Sequence, residues 1–307
     1  MKKLIVRIRR LLPVCVRAGF LSMLRNLKDR SEAVVFAQTK GDVKNFPCLL
    51  YSHKAHLYRN YPEPWFSLQR YKVDNLKLAA AKIDGAVLRK GEIFSFWHFV
   101  GKTSMFRGYR KGMSIINGGV TAAMGGGLCQ LSNALYWTAL HCGCMITERH
   151  RHSLDIFPDS KRTVPFGCGA TIFYNYLDLR FMQNIFESIY LRTYLDDEFL
   201  HIEAYTAEPS QYKWILEERN HRFERIDGIV YRKNEVHRIT TRAKEAFSEE
   251  NEMPVSTETP FKMRPKKNRR FPRSQIIIEE LVAENCGRVL YDLPENEEKR
   301  IAEKNKN

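Results

Sequence analysis

Gly125-Gly126-Gly127-Leu128-Cys129-Gln130-Leu131-Ser132 opens the stretch that decides the fold. From Leu128 to Cys142 the apolar residues cover most of a helical circumference, and Gly143 stops the run. A helix with so little polar face must be buried, with other elements packed round it. Three glycines ahead of it let the backbone turn sharply. Met145–Glu148 should follow as a strand.

Working outward, Val73–Leu88 has Leu76, Ala79, Ala80, Ile83 and Val87 at helical spacing. After Gly91, residues 93–96 alternate as a strand, and Phe94, Phe96, Trp97 and Phe99 read as core. Downstream the chain is strand-like at 170–174, 177–181, 188–195 and 200–205, with a turn at Asp196-Asp197. Asp227-Gly228 signals a hairpin joining 223–225 to 230–232. Helices first and paired strands later argue an α+β fold: a buried, glycine-preceded helix packed on a mainly antiparallel sheet. The expected organisation is a basic arm over 1–34, a core over 35–245, an acidic-then-basic linker or loop over 246–274, and a C-terminal segment with a charged tail over 275–307.

With 44% hydrophobic and 28% charged residues, the chain is neither disordered nor fibrous. Its net charge of +15 points to an anionic partner. Residues 1–30 hold nine Lys or Arg and one acid, Asp29, among apolar residues, which suits contact with an anionic membrane surface. The run Lys262–Arg273 has few aromatics beside its charges, so no nucleic acid is expected. The apolar run Leu11–Leu24 is too short to span a bilayer, and arginines interrupt any signal peptide. The expected location is the cytoplasm, with peripheral attachment to the inner membrane face. Seven cysteines without an export signal read as free thiols. The oligomeric state is not legible.

The chemistry-bearing segment runs from the glycines to Glu148-Arg149-His150-Arg151-His152-Ser153. A thiol in the first turn of a helix feels the positive end of the dipole, which lowers its pKa. On that reading Cys129 is a nucleophile and His152 its base. The helix is about 20 Å long. The nine residues from Gly143 to His152 cover roughly 30 Å when extended, enough to return alongside it. Asp178 is the first choice to orient the imidazole and Asp155 the second. Backbone N–H groups near Leu128–Gln130 would hold an oxyanion, and Gly125, Gly126, Gly127, Gln130, Arg149 and Ser153 would bind substrate. Three other readings compete. The glycines and helix start could instead bind a carboxylate or phosphate, with Arg149 or Arg107 as counter-charge. Cys129 could be a small core residue. A zinc site among His141, Cys142, Cys144, His150 and His152 is disfavoured by the Cys-x-Cys spacing. No cofactor is expected.

Four groups of residues resemble the VanW family. They are Gly91-Glu92-Ile93-Phe94-Ser95-Phe96-Trp97, Ile116-Asn117-Gly118-Gly119, the run from Gly125 to Asn133, and Glu148-Arg149-His150 with His152-Ser153. The similarity extends through Leu177–Phe181 and back to Asn75–Ala80, covering roughly residues 35 to 240. The resemblance implies a link to the bacterial cell envelope and glycopeptide resistance, with a cell-wall peptide or precursor as partner. The glycine–cysteine helix start also looks like the core of transglutaminase-like thiol enzymes, an analogy of fold alone. Together these suggest acyl transfer or amide hydrolysis by Cys129, or a non-catalytic module that binds an anionic group at Gly125–Gly127.

Overall fold

The computed structural model describes residues 14–58, 65–116, 119–151, 154–155, 164–174, 176–243 and 276–304. The buried helix α4 (Cys129–His141) lies at the centre, with Leu131, Leu135, Tyr136 and Leu140 sealed from solvent. It stops as the sequence predicts: Gly143 takes a left-handed φ of 71° and packs so tightly on Trp214 that a Cβ would clash. Arg238 donates to the Leu140 and Cys144 carbonyls, placing a cation at the helix C-terminus.

Among the described residues, three α-helices precede it: α1 (Val14–Ser31), α2 (Trp65–Ile83) and the short α3 (Phe96–Val100). A four-stranded antiparallel sheet has the order β1 (Cys48–His56), β10 (Phe199–Thr206), β9 (Ser188–Leu195), β2 (Ala86–Arg89). Helix α4 packs against β1 and β10 of this sheet, and α2 against β9. A three-stranded sheet pairs β3 (Ile93–Ser95), β8 (Arg180–Met182) and β6 (Met145–Glu148). The hairpin of β4 (Lys111–Ile116) and β5 (Gly119–Met124) leads into the glycine turn. A second four-stranded sheet runs β11 (Tyr212–Ile226), β12 (Ile229–Arg242), β13 (Ile276–Val289), β7 (Leu154–Asp155), and α5 (Glu295–Lys304) ends the described chain.

The fold is α+β and its strands are mainly antiparallel; among the described strands β13 and β7 pair in parallel. They are divided among several sheets, not gathered in one. Other boundaries also differ from expectation. The helix read as 73–88 begins earlier, at Trp65, and ends at Ile83; Gly85, at φ 83°, turns the chain and 86–89 is a buried strand. The strand at 93–96 gives way to α3 after Ser95, whose hydroxyl accepts the His98 N–H as an N-cap. Residues 170–174 form no ladder beyond a single bridge between Phe173 and Leu177. The Asp227-Gly228 hairpin is present, both residues having positive φ, but its strands are far longer than its tip. The expected linker 246–274 lies outside the described residues, and the segment after it supplies a 14-residue strand as well as a charged tail.

Candidate functional site

The three glycines do their work by letting the chain pack closely. Gly125 and Gly127 have φ of 70° and 98°. A Cβ on Gly126 would stand 2.1 Å from the Gly112 carbonyl oxygen, and one on Gly127 would stand 2.0 Å from Lys72 Cγ. Two N–H groups of the turn are spent within the fold: Gly125 donates to the Arg110 carbonyl and Gly126 to that of Ala123. The buried Asn75 amide donates to the Gly126 and Arg110 carbonyls and accepts the Arg110 N–H, tying α2 to the turn. Gln130 donates its side-chain amide to the His56 carbonyl at 2.7 Å. The turn is thus packed closely against Thr103, Gly112 and Lys72.

Cys129 is partly buried and packs against the main core. Its thiol pKa is raised by desolvation, although backbone hydrogen bonds from Ile172 and from Cys129 itself favour the thiolate. Burial thus acts against the lowering expected at a helix start. The residues after the cysteine serve the same packing. Ser132 donates to the Ala170 carbonyl at 2.6 Å, and Asn133 accepts the Ala170 N–H at 2.7 Å. Segment 164–174 is thereby laid along α4, which brings Ile172 to the sulfur.

Arg149 serves this segment as well. Its guanidinium donates to the Gly167 and Gly169 carbonyls and lies 4.5 Å from the Tyr136 ring centroid. His152 and Ser153 lie outside the described residues. Asp178 sits deep in a charged network. Its carboxylate accepts from Ser95 Oγ at 2.6 Å, from the Trp97 N–H at 3.2 Å and from Arg180 Nε at 3.0 Å. Arg180 also grips Asp29 of α1 with both terminal nitrogens, at 2.6 and 2.7 Å. Glu148 pairs with Arg25, contacts His150 Nε2 at 2.8 Å and accepts the Asp178 N–H at 3.0 Å. His150 has its pKa lowered by burial and then by Arg25, despite the Asp178 charge. Asp155 is committed elsewhere, to Arg232 at 3.2 Å and Tyr291 at 3.0 Å. Among the described residues, no three His, Cys, Asp or Glu side chains converge as a metal site would need.

Open space lies beside this network. A shallow, solvent-open cleft of about 800 Å³ is lined by Gln38, Lys40, Lys82, His98, Phe99 and Arg107, among others, with no carboxylate among the described lining residues. Lys82 reaches it by donating to the Val100 carbonyl at 2.8 Å, and Lys40 by donating to that of Ala81 at 3.2 Å. Each ammonium keeps further protons to offer. The Lys82 pKa is lowered by burial and then by Arg107, the mark of positive charge facing positive charge. His98 is exposed at the rim, stacked 4.8 Å from Phe36, and Phe36 in turn lies under Arg180.

Residues 71–205 match the family model described as VanW like protein. The vancomycin B-type resistance protein VanW of Enterococcus faecalis is 31% identical over 210 residues, covering 68% of this chain and 76% of that protein. The chain belongs to the VanW family. The uncharacterized protein YoaR of Bacillus subtilis is 30% identical over 126 residues, 41% of this chain and 40% of YoaR. No solved structure matches.

The part matched to the VanW model spans the glycine turn, α4, Arg149 and Asp178, together with Lys82, His98 and Arg107 of the cleft. Sequence reading missed several residues that position this VanW core. Asn75 stands on the same helical face as Leu76 and Ala79, and a polar residue on an apolar stripe is a legible signal of a buried clamp. Arg180 and Glu148 gave no such signal, because the partners that define them lie on α1, far away in sequence. Among the described residues, no helix is long and apolar enough to cross a membrane.

Proposed function

We propose that this VanW family member is a non-catalytic module of the bacterial envelope, acting in glycopeptide resistance by holding an anionic group of a cell-wall peptide or precursor. The group, a carboxylate or phosphate, sits in the cleft between α2 and α3, held by Lys82, Arg107 and Lys40. The observation that carries this reading is a cleft rimmed by three cations with no carboxylate among its described lining residues. Cations that converge with no carboxylate among the described residues beside them attract and orient an anion through charge-assisted hydrogen bonds.

The catalytic alternative has Cys129 as nucleophile, His152 as base and Asp178 as orienter. It needs a thiolate where burial raises the thiol, and a free carboxylate where Ser95, Trp97 and Arg180 already share one. Anion binding at Gly125–Gly127 would compete with the carbonyls that already take the Gly125 and Gly126 N–H groups. Geometry therefore favours binding over catalysis, and the cleft over the glycine turn.

The test is titration calorimetry with inorganic pyrophosphate and with a peptidoglycan stem peptide. Binding to the full chain is expected to weaken about tenfold in Arg107→Ala and in Lys82→Met, each of which loses one charged hydrogen bond. Cys129→Ala should bind as the unaltered protein does. Affinity lost in Cys129→Ala but kept in both cleft variants would overturn the reading.

A further inference from the structure

Helix α1 is built the wrong way round for a helix packed on a domain. Its docked side is polar: Arg25 pairs with Glu148 and donates to the Tyr176 carbonyl, and Asp29 pairs with Arg180. Its outer side is apolar. Phe20, Met23, Leu24 and Leu27 are 43–52% exposed, and their spacing of three, four and seven residues makes one continuous stripe. At about 100° per residue, that stripe lies opposite Arg25 and Asp29. Lys28 and Arg30, both exposed, fall one on each flank of it. Monomeric proteins rarely leave such a stripe bare.

We propose that α1 is an interfacial helix that seats the protein on an anionic phospholipid surface, with the Phe20–Leu27 stripe sunk among the acyl chains and Lys28 and Arg30 at the headgroups. Charge decides between a bilayer and a second copy of the chain. Residues 1–30 hold nine Lys or Arg and one acid, and that acid, Asp29, is turned inward onto Arg180. Two such stripes face to face would oppose cation to cation, whereas anionic headgroups neutralise both flanks. Glu32 at the helix end is exposed and lies 3.6 Å from Lys28, which reduces the charge there without crossing the stripe. Arg25 and Asp29 give the anchor its rigidity: because both are ion-paired to the three-stranded sheet, the stripe is presented outward without folding back onto the core. Two further exposed rings, Phe173 and Tyr176, stand on the turn that Arg25 binds and add apolar surface beside the helix.

The inference goes beyond anion binding in the cleft and does not need it. The experiment is co-sedimentation of the full chain with vesicles of phosphatidylcholine alone and of phosphatidylcholine containing phosphatidylglycerol. Binding is expected on the anionic vesicles, weaker by about tenfold or more on neutral ones, and falling as salt rises. Leu24→Ser/Leu27→Ser should lose about tenfold or more of the partition while keeping its melting temperature and its pyrophosphate titration. Equal partition of this variant and the unaltered protein would overturn the proposal, as would no binding to anionic vesicles. So would sedimentation velocity showing a dimer that the double substitution dissociates, since the stripe would then belong to a second copy.

Discussion

Each residue of the Gly125–Asn133 signature meets a specific neighbour, and those neighbours explain why it reads so strongly. Gly126 faces the Gly112 backbone, Ser132 and Asn133 hold Ala170, and Gln130 holds the His56 carbonyl. Backbone cannot step aside for a methyl group 2.1 Å from a carbonyl oxygen, so Gly126→Ala should cost roughly 3 kcal/mol or more. A urea unfolding midpoint measures it, and an unchanged midpoint would contradict the packing described. Cys129→Ala should cost only about 1 kcal/mol, as expected for a small, partly buried side chain. Iodoacetamide should alkylate native Cys129 at least about tenfold more slowly than a free thiol at the same pH, because burial disfavours the thiolate. Selective, rapid alkylation there would reinstate the nucleophile. The sequence showed which residues matter but not what they touch: a glycine run suits a ligand nest and a close backbone approach equally well, and only the position of Gly112 separates them.

The elements divide by how their patterns arise. Strands β6 and β9 were legible to the residue, since alternation and turn signals bound them. The hairpin of β11 and β12 was legible only at its tip, and β13 not at all. The inward positions of this sheet carry Arg232, Asn234, Arg238 and Asn285, all buried and all hydrogen-bonded, so the usual apolar alternation is missing. Arg232 lies between Phe166 and Phe223 and pairs with Asp155, a partner 77 positions away that no local pattern announces. Helix α1 depends on comparable long-range pairs. Asp29→Asn removes the twofold grip of Arg180 and should raise hydrogen exchange across residues 19–31 by about tenfold or more, while α4 amides stay protected. Uniform loss of protection in both helices would show that α1 is part of the global unfolding unit.

For the molecule as a whole, two histidines, His53 buried and His141 partly exposed, contribute to the response to acid. Burial lowers His53 to about 4 and His141 to about 3. Unfolding releases both to about 6.5, so the unfolded chain takes up protons first. Their contribution is complete above about pH 6.5 and is lost as pH falls towards the folded values. For His53 the full loss is roughly 3 kcal/mol. Melting temperature should therefore drop between about pH 6.5 and 4, and His53→Leu should flatten that slope; a slope unchanged by the substitution would contradict the assignment. The class of fold and the family could be read from sequence because they rest on α4 and on motifs contiguous in the chain. The cleft could not, because Lys40, Lys82, His98 and Arg107 come from four separate segments that meet only in three dimensions. On the proposed function, this protein holds its ligand and leaves it unchanged. Mass spectrometry of a peptidoglycan stem peptide incubated with the full chain tests it most directly. The account predicts a peptide of unaltered mass, retained by the unaltered protein and by Cys129→Ala, and released by Lys82→Met and Arg107→Ala. A cleaved or transferred peptide whose formation stops in Cys129→Ala would contradict it.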